Sequence, residues 1–530
     1  MSIVVNSLTY IHADGEVLFD NINFSISAGD KVSLVGNNGV GKSTLLRIVA
    51  GCVSQTKGEI VYAENPYYIP QHFGQFDGQS VFEVLKIEQK IKALHAILEG
   101  DASESNLDIL DDDWDIEERV NIALKYWKID RVDLSKQMSS LSGGEKTKVF
   151  LAGISIHSPS IILLDEPSNH LDFEGRTVLY DFIEKSKKTI LIVSHDRELL
   201  NIVNKTIELT PDSVEVYGGN YNFYFQQKQL KMDALYTQLA DREKNLKQVQ
   251  QKSREIIQQR QKQESRGKVQ KSKAGMPRIL MGGLKNKAEL SSAKMNSDQT
   301  EKVNDISLEI SSLKKDIQAE QPLKISIISS KHHKGKLFVN AEDVNVAYDD
   351  HLIWENPKSF HIYSGDRVQI KGNNGAGKTS LIRLITQDKQ PSTGNLFIAD
   401  FTYLYVDQEY SIIRDNLTVF EQAQQFNDRC MAEHDLKKLL FHHQFTSAYW
   451  DRQCSLLSGG ERMKLLLCCL SISSDVPDML IFDEPTNNLD IYSQGILTHA
   501  IKEFEGTVLV ISHDIHFTNE IKIDRIIALQ

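Results

Sequence analysis

GNNGVGKST occupies Gly36–Thr44, and a near copy, GNNGAGKTS, occupies Gly372–Ser380. A short run rich in β-branched residues precedes each segment, at Lys31–Val35 and at Arg367–Lys371. Downstream, each half repeats LSGGE, then an apolar run that ends in Asp-Glu-Pro, and then Ser-His-Asp. A shared order of four motifs indicates that the chain contains a duplicated module.

The two glycine-rich segments predict phosphate-binding loops. Glycines let backbone N–H groups surround phosphate oxygens at a helix N-terminus, where the helix dipole favours negative charge. In such a loop the lysine reaches the β- and γ-phosphates, and the hydroxyl that follows it binds Mg²⁺. Two matches, each after a predicted strand, argue against an accidental occurrence. The predicted nucleotide-binding residues are Gly36, Asn37, Gly39, Gly41, Lys42, Ser43 and Thr44 in the first half, and Gly372, Asn373, Gly375, Gly377, Lys378, Thr379 and Ser380 in the second.

The Asp-Glu pairs that end the apolar runs predict a hydrolytic centre in each half. An aspartate at the end of a strand can hold Mg²⁺ directly or through water. The glutamate after it is placed to orient or deprotonate the attacking water. A histidine in the downstream Ser-His-Asp is placed to contact the γ-phosphate. The predicted aspartates are Asp165 and Asp483, and the predicted catalytic residues are Glu166, Glu484, His195 and His513.

Composition excludes several classes of protein. A chain of 530 residues is too long for one hydrophobic core, and 41% hydrophobic with 25% charged residues is ordinary for a globular protein. The longest apolar runs, such as Leu465–Leu470, fall short of the roughly 18–20 residues that span a bilayer. The N-terminal MSIVVNSLTY lacks the features of a secretory signal, and the five cysteines form no metal-ligand spacing. We therefore expect a cytoplasmic protein without a membrane segment.

A charged segment separates the two halves. Apolar residues recur at helical spacing on both sides of a glycine-bearing middle, Lys268–Ser291, which predicts an antiparallel helical hairpin. Glycines and a proline in that middle (Gly275, Pro277, Gly282 and Gly283) should interrupt the helix. From Lys252 to Lys294, twelve basic residues outnumber three acidic ones, a local charge of +9 in a chain of net charge −12. This concentration of positive charge predicts a polyanion-binding element.

Together these patterns predict an α/β protein built from two tandem nucleotide-binding domains joined by a helical linker. The predicted domains are residues 1–224, with a small helical arm inserted at about 84–119, the basic hairpin 225–325, and residues 326–530.

LSGGE resembles the signature of the ATP-binding cassette superfamily, and the two cassettes cover most of the chain. The resemblance implies an Mg²⁺-dependent ATPase whose cassettes close head to tail, so that each ATP touches the phosphate loop of one cassette and the signature of the other. Ser142, Gly143 and Gly144 would then cap the ATP on Lys378, and Ser458, Gly459 and Gly460 the ATP on Lys42. Further implied residues are the Mg²⁺-sensing glutamines Gln71 and Gln408, the D-loop pairs Leu171-Asp172 and Leu489-Asp490, and the adenine-stacking Tyr348, with His12 at the equivalent first-half position and Tyr10 nearby.

Within the superfamily, the chain resembles the ABC-F family. YGGNYNFYFQQK (Tyr217–Lys228) is similar to the Tyr-x-Gly-Asn-Tyr-Ser-x-Tyr element that introduces the linker of these proteins, and DEPSNHLD (Asp165–Asp172) and HDRELLN (His195–Asn201) are similar to the family's versions. The second half departs slightly, with Asn488 in place of the usual histidine.

The ABC-F resemblance implies a translation factor. Such a factor would bind the ribosome at the tRNA exit site, with its linker reaching the P-site tRNA and the peptidyl-transferase centre. A basic tip on a long hairpin is consistent with rRNA or tRNA phosphates as ligands. The predicted RNA-binding residues are Arg266, Lys268, Lys271, Lys273, Arg278, Lys285 and Lys287.

Several functions remain open at this stage. Within the family, ribosomal protection against antibiotics is favoured by the long linker, and regulation of ordinary translation is the alternative. Outside it, the chain could be the ATP-binding subunit of a transporter or a DNA-maintenance ATPase, although a basic linker of about 100 residues suits neither. We expect a monomer without an obligate protein partner, because its two cassettes can pair within one chain.

Overall fold

The computed structural model describes residues 2–13, 15–210, 213–273, 301–314, 317, 335–348, 351–373, 375–487 and 489–529. The chain forms two compact units. One contains Met1–Asn222 together with Pro322–Gln530, and the other is Phe223–Gln321. The predicted division into three domains stays a prediction. Within the described residues, every helix is too short or too polar to cross a lipid bilayer.

The first half is built on a six-stranded sheet in the order β5-β6-β7-β3-β8-β9, which is parallel except for its last strand pair. A three-stranded antiparallel sheet, β2-β1-β4, accompanies it. The strands of the first half are β1 (Ile3–Ile11), β2 (Val17–Ile26), β3 (Lys31–Val35), β4 (Lys57–Tyr62), β5 (Tyr67–Ile69), β6 (Ile161–Asp165), β7 (Thr189–Val193), β8 (Lys205–Leu209) and β9 (Val214–Tyr217). Its helices are α1 (Lys42–Val49), α2 (Val81–Val84), α3 (Glu88–Leu98), α4 (Glu104–Leu110), α5 (Ile116–Tyr126), α6 (Gly143–His157), α7 (Phe173–Lys185) and α8 (Arg197–Ile202), with short 3₁₀ turns at Gly74–Phe76 and Met138–Ser140.

The second half repeats this plan, with a parallel sheet β16-β17-β18-β14-β19 and an antiparallel sheet β13-β10-β15. Its strands are β10 (Leu337–Asn345), β11 (Ala347–Tyr348), β12 (His351–Leu352), β13 (Lys358–Tyr363), β14 (Arg367–Lys371), β15 (Thr393–Ile398), β16 (Tyr403–Val406), β17 (Met479–Asp483), β18 (Thr507–Ile511) and β19 (Arg525–Ala528). Its helices are α11 (Lys378–Ile385), α12 (Val419–Gln425), α13 (Glu433–His442), α14 (Ser447–Trp450), α15 (Gly459–Ile472), α16 (Ile491–Glu503) and α17 (Ile515–Glu520), with a 3₁₀ turn at Cys454–Leu456.

The predicted α/β fold class is confirmed. The central strands β6 and β7 are buried along their whole length, as expected for a parallel sheet with both faces covered. The strands predicted at Lys31–Val35 and Arg367–Lys371 have these same bounds. Because parallel strands β3, β6 and β7 are neighbours, their carboxyl ends lie along one edge of the sheet. That edge is where a ligand is expected to bind in such sheets.

The unit Phe223–Gln321 contains all but the first two residues of a continuous 53-residue helix, α9 (Tyr221–Lys273), and a second helix, α10, at 301–314. At 1.5 Å per residue, α9 extends about 80 Å. Ion pairs join the two helices: Arg242 Nε lies 3.2 Å from Glu309 Oε2, and Lys314 Nζ lies 2.9 Å from Glu243 Oε1. The predicted helix interruption and three predicted RNA contacts (Arg278, Lys285 and Lys287) lie outside the described residues. The other four, Arg266, Lys268, Lys271 and Lys273, are in the last part of α9.

Candidate nucleotide-binding and hydrolytic sites

The first phosphate loop requires glycine at its junction with α1. Gly41 is the N-cap residue and has φ of +97°, in the left-handed region that L side chains rarely adopt. A Cβ there would also lie 2.7 Å from the Leu18 side chain. Lys42, at the first position of the helix, donates from Nζ to the carbonyls of Gly36 (2.8 Å) and Asn37 (3.1 Å). The ammonium group is therefore held inside the loop, where it can reach a bound phosphate.

The second phosphate loop has the same left-handed glycine at its junction with the helix, and different side chains support it. Gly377 is the N-cap residue of α11 with φ of +84°. Lys378 Nζ donates to the Gly372 carbonyl at 2.9 Å and lies 3.2 Å from Nε2 of His513. The indole N–H of the buried Trp354 donates to the Ala376 carbonyl, 3.0 Å away, and so fixes the position of the loop.

Oxygen ligands that suit Mg²⁺ meet beside the first loop. Ser43 Oγ donates to Asp165 Oδ1 at 3.0 Å, so the predicted hydroxyl and carboxylate ligands are brought together. Hard oxygen donors of this kind fit Mg²⁺. In the second half Asp483 ends β17 and Thr379 is exposed on the loop helix. Gln71 and Gln408 are half-buried just beyond β5 and β16.

Two tyrosines that sequence reasoning missed contact the predicted metal-binding aspartates. Tyr68 OH donates to Asp165 Oδ2 at 3.3 Å, and Tyr405 OH donates to Asp483 Oδ2 at 3.1 Å. Each tyrosine lies three positions before the predicted glutamine of its half. An alignment of the two halves would have shown these tyrosines, because YYIPQ and YLYVDQ both place a tyrosine three positions before the glutamine.

The predicted catalytic glutamate of the first half is buried and strained. Glu166 has φ of +51°, a left-handed conformation that is costly for a residue with a side chain. Its Oε1 lies 3.3 Å from His195 Nε2 without hydrogen-bond alignment, and among the described residues this oxygen accepts no hydrogen bond. Burial and the neighbouring Asp165 raise the pKa of Glu166 well above its usual range. A buried oxygen that lacks a donor is suited to hold a water molecule.

The second half repeats this geometry. Glu484 has φ of +49°, and its Oε1 lies 3.4 Å from His513 Nε2. Burial raises the pKa of Glu484 to about 7, which is suited to proton transfer near neutral pH. Burial and the positive charge of Lys378 lower the pKa of His513 to about 4, so this imidazole is neutral at pH 7. The structure therefore brings together the residues predicted for each hydrolytic centre, and their catalytic roles stay predictions.

The LSGGE signatures form helix N-termini. Ser142 is the N-cap residue of α6, and its side chain and that of Glu145 bond each other's backbone N–H groups in a capping box. Ser458 and Glu461 do the same for α15. The serine and glutamate of the motif therefore fix a helix end whose dipole attracts an anion.

Contacts between the two halves follow the head-to-tail arrangement that the resemblance implies. The backbone N–H of Asn38, in the first phosphate loop, donates to Asp490 Oδ2 of the second half at 2.8 Å. A Cβ on Gly460, in the second signature, would lie 3.7 Å from Asn38 Nδ2. On the other side, Lys371 Nζ lies 5.4 Å from the centre of the Phe173 ring. The first phosphate loop thus contacts the D-loop of the second half, and the strand that leads into the second loop lies beside the residue that follows the first D-loop.

The predicted adenine-binding positions differ between the halves. Tyr348 is 42% exposed, and Lys389 Nζ lies over its ring at 3.1 Å from the centroid. In the first half, the rings of Tyr10 and His12 contact each other edge to face at 5.4 Å. Stacking of adenine on either position stays a prediction.

A family model described as "ABC transporter" matches residues 19–169 and again 356–487. The chain belongs to this family. It therefore binds ATP and is an ATP hydrolase, as predicted. The matched ranges contain the phosphate loop, the signature and the predicted catalytic glutamate of each half.

The resemblance to the ABC-F family is confirmed by relatives that match almost the whole chain. "ABC transporter F family member 5" of Arabidopsis thaliana is 28% identical, covering 97% of this chain and 73% of that protein. "ATP-binding protein Uup" of Escherichia coli is 26% identical, covering 98% and 79% respectively. YfmM of Bacillus subtilis, an uncharacterized ABC transporter ATP-binding protein, is 27% identical, covering 96% and 95%.

Solved structures support the tandem-cassette fold. The chain resembles archaeal ABCE1, solved in complex with the ribosomal stalk protein aP1 and described as a ribosome recycling factor. That match has a TM-score of 0.59 at 18% identity and covers 98% of this chain and 87% of the other. An RNase-L inhibitor structure matches with a TM-score of 0.58 at 18% identity, covering 99% and 87%. At this identity the likeness concerns the fold.

Proposed function

We propose that the chain is a cytoplasmic ATPase that binds the ribosome at the tRNA exit site. In this proposal ATP holds the two cassettes closed, and the closed form keeps the linker against P-site tRNA and the peptidyl-transferase region. Hydrolysis opens the cassettes and releases the ribosome. The observation that carries the proposal is the contact between the first phosphate loop and the second D-loop, in one chain that carries two sets of predicted hydrolytic residues and a basic linker.

The first supporting argument is chemical. Each half places a glutamate beside a neutral histidine at the carboxyl edge of its sheet, and the first phosphate loop contacts the D-loop of the other half. This arrangement suits hydrolysis of a nucleotide that bridges the halves. Mg²⁺ would be held by Ser43, Asp165 and Gln71 in the first site and by Thr379, Asp483 and Gln408 in the second. The bound Mg²⁺ would neutralise charge on the β- and γ-phosphates.

The second argument concerns the root of the linker. The N–H of Asn222, in the first turn of α9, donates to Asn201 Oδ1 at 2.9 Å, and Asn220 Nδ2 donates to the Asn201 carbonyl at 3.2 Å. Asn201 lies in α8, the helix that follows the first Ser-His-Asp. The same helix carries Arg197, whose Nη1 lies 2.9 Å from Glu520 Oε1 in the second half. Movement of the second half against the first would therefore act on the base of α9.

The third argument is electrostatic. The segment Lys252–Lys294 carries a net charge of +9 in a chain of −12. Lysine and arginine neutralise nucleic-acid phosphates and release counterions. Because the rest of the chain is acidic, we expect RNA to bind the basic linker and not the cassettes.

Ribosome co-sedimentation tests the proposal. We expect the Glu166→Gln/Glu484→Gln variant to retain nucleotide binding, to lose hydrolysis and, with ATP, to sediment with ribosomes. Removal of residues 266–290, or Gln at Arg266, Lys268, Lys271 and Lys273, should weaken this binding and flatten its salt dependence. The matched control is Lys42→Ala/Lys378→Ala, which should stay in the supernatant because it cannot hold the phosphates.

The proposal is wrong if the hydrolysis-deficient variant binds ATP but leaves ribosomes unbound and translation unaffected. Recovery of the chain with membranes would instead favour a transporter subunit, and preference for duplex DNA would favour DNA maintenance.

Within the family, we propose ribosomal protection against antibiotics, because the described part of the linker already contains a helix of 53 residues. Expression in a susceptible host, measured as drug-by-drug inhibitory concentration, tests this choice. Unchanged susceptibility to all ribosome-targeting drugs would favour the alternative, regulation of ordinary translation.

A further inference from the structure

Strand register places a tyrosine of the first half on the same face of the sheet as the predicted metal-binding aspartate. Tyr68 of β5 pairs with Leu163 of the parallel strand β6, and Asp165 follows Leu163 by two positions. Side chains alternate between the two faces along a strand, so residues two apart share a face, as do residues paired across neighbouring strands. Tyr68 and Asp165 are therefore diagonal neighbours on one face of the sheet.

The second half repeats this register. Tyr405 of β16 pairs with Ile481 of β17, and Asp483 follows Ile481 by two positions. In each half the phenol spans the diagonal, and its hydroxyl donates to Oδ2 of the aspartate, at 3.3 Å in the first half and 3.1 Å in the second. When residues 67–69 are aligned with 404–406, only the tyrosine is identical. The two strands thus differ around a hydrogen bond that both of them form.

The two oxygens of the first aspartate have different partners. Asp165 is 2% exposed; its Oδ2 accepts from Tyr68, whereas its Oδ1 accepts from Ser43 Oγ at 3.0 Å. Ser43 and Asp165 are the predicted Mg²⁺ ligands of this site. The oxygen beside the predicted hydroxyl ligand is therefore Oδ1, and the tyrosine holds the other oxygen toward β5.

A carboxylate that offers one oxygen suits Mg²⁺ better than Ca²⁺. Mg²⁺ demands near-octahedral geometry with oxygen ligands at about 2.0–2.1 Å, whereas Ca²⁺ accepts roughly six to eight oxygens and often takes both oxygens of a carboxylate. A hydrogen bond to the outer oxygen disfavours two-oxygen binding, because that oxygen would have to give up its donor. Groups that hydrogen-bond a metal ligand in this way orient it, and their loss costs about 10- to 100-fold in metal affinity or activity.

We propose that Tyr68 and Tyr405 are positioning residues that hold Asp165 and Asp483 for one-oxygen coordination and so make each nucleotide site select Mg²⁺ over Ca²⁺. The inference rests on the proposed Mg²⁺ sites and does not depend on ribosome binding. Because the tyrosines act through the aspartates, their removal should weaken the contribution of Mg²⁺ to nucleotide binding and leave the phosphate loop unchanged.

Nucleotide binding in Mg²⁺, in Ca²⁺ and in EDTA tests the proposal in full-length chains that retain one site. Lys378→Ala with Glu166→Gln leaves a first site that should bind a fluorescent ATP analogue without hydrolysing it. In this background Tyr68→Phe should weaken binding in Mg²⁺ about tenfold and change it little in Ca²⁺ or EDTA. Tyr67→Phe is the matched control, because the hydroxyl of this neighbouring tyrosine donates to the Phe150 carbonyl at 3.1 Å. It should bind the analogue as the parent does.

The second site is tested in the same way. Lys42→Ala with Glu484→Gln leaves this site, and Tyr405→Phe should lower its preference for Mg²⁺ over Ca²⁺ by a similar factor. The control on the same strand is Tyr403→Phe, whose lost hydroxyl lies 3.5 Å from the Thr386 carbonyl. In the chain with both sites intact, the two tyrosine substitutions together should raise the Mg²⁺ concentration that gives half-maximal ATP turnover, with little change in kcat at saturating Mg²⁺.

Asp165→Ala separates failure of this inference from failure of the proposed Mg²⁺ site. If Asp165→Ala leaves the ratio of affinities in Mg²⁺ and EDTA unchanged, Asp165 is not a metal ligand and both are wrong. If it lowers that ratio while Tyr68→Phe keeps the parent's preference for Mg²⁺ over Ca²⁺, only the tyrosine inference is wrong. Equal losses for Tyr68→Phe in Mg²⁺, Ca²⁺ and EDTA would also overturn it, since they would indicate a structural role. Thermal unfolding of each variant identifies a loss that comes from incomplete folding.

Discussion

The phosphate-loop lysines of the two halves have different surroundings. Lys42 is 7% exposed and donates to two carbonyls of its own loop, whereas Lys378 is half-buried and also lies 3.2 Å from His513 Nε2. The aromatic residues that pack against the two phosphate loops differ as well. Trp354 supports the second loop, whereas Phe19 lies beside the first. The duplication has kept the nucleotide-binding residues and changed their neighbours, which makes the two sites inequivalent.

The largest effect is expected from the catalytic glutamates. Glu166→Gln with Glu484→Gln should lower ATP turnover by about 10²–10⁴-fold, because each removes a general base. Steady-state phosphate release measures the loss, and nucleotide binding to the double variant is the control. If the sites are inequivalent, the two single variants should differ in residual turnover. Identical residual rates would contradict the comparison.

The α/β fold class and the two tandem cassettes were predictable from the sequence, whereas the roles of the predicted site residues stay predictions. Runs that contain Val and Ile predicted the strands beside both loops, because β-branched residues favour strands. LSGGE predicted a signature, and the structure adds its physical basis, since its serine and glutamate form a capping box.

Other features of the site depend on packing that no motif encodes. Glu166 and Glu484 have a left-handed backbone directly after β6 and β17 end. The sequence does not indicate this conformation, because glutamate rarely adopts it.

The D-loop aspartates are expected to have the next largest effect. Asp490→Ala removes the hydrogen bond that the Asn38 N–H donates, and a bond to a charged group is worth about 1.5–3 kcal/mol. ATP affinity at the first site should fall by about 10- to 100-fold, measured by fluorescent-nucleotide titration in a Lys378→Ala background, in which the second site cannot hold the phosphates. Asp172→Ala is the matched variant for the second site, and it should leave the first site's affinity intact. Equal effects of both variants on the first site would contradict the head-to-tail contact.

Substitutions at the predicted adenine-binding positions should have smaller effects, and these effects should differ between the two sites. Tyr348→Ala removes a stacking surface, and aromatic–base stacking is worth about 1–3 kcal/mol. The KM for ATP at the second site should rise about tenfold, whereas His12→Ala should change the first site less because a smaller ring is lost. Lys389→Ala is the control for the cation that lies over the tyrosine ring. A larger effect of His12→Ala would reverse this part of the comparison.

The smallest expected effect concerns the support of the second loop. Trp354→Phe gives this half the residue type that lies beside the first loop and removes the hydrogen bond to the Ala376 carbonyl. One such bond contributes about 1 kcal/mol, which corresponds to a fall in Tm of about 2–4 °C for a domain of this size. Trp127→Phe is the matched control, because this equally buried tryptophan has no hydrogen-bond partner for its indole nitrogen among the described residues. Only Trp354→Phe should also raise the KM for ATP, since only Trp354 touches a phosphate loop. Equal changes in Tm and KM for the two variants would mean that ring volume, and not the hydrogen bond, stabilises the second loop.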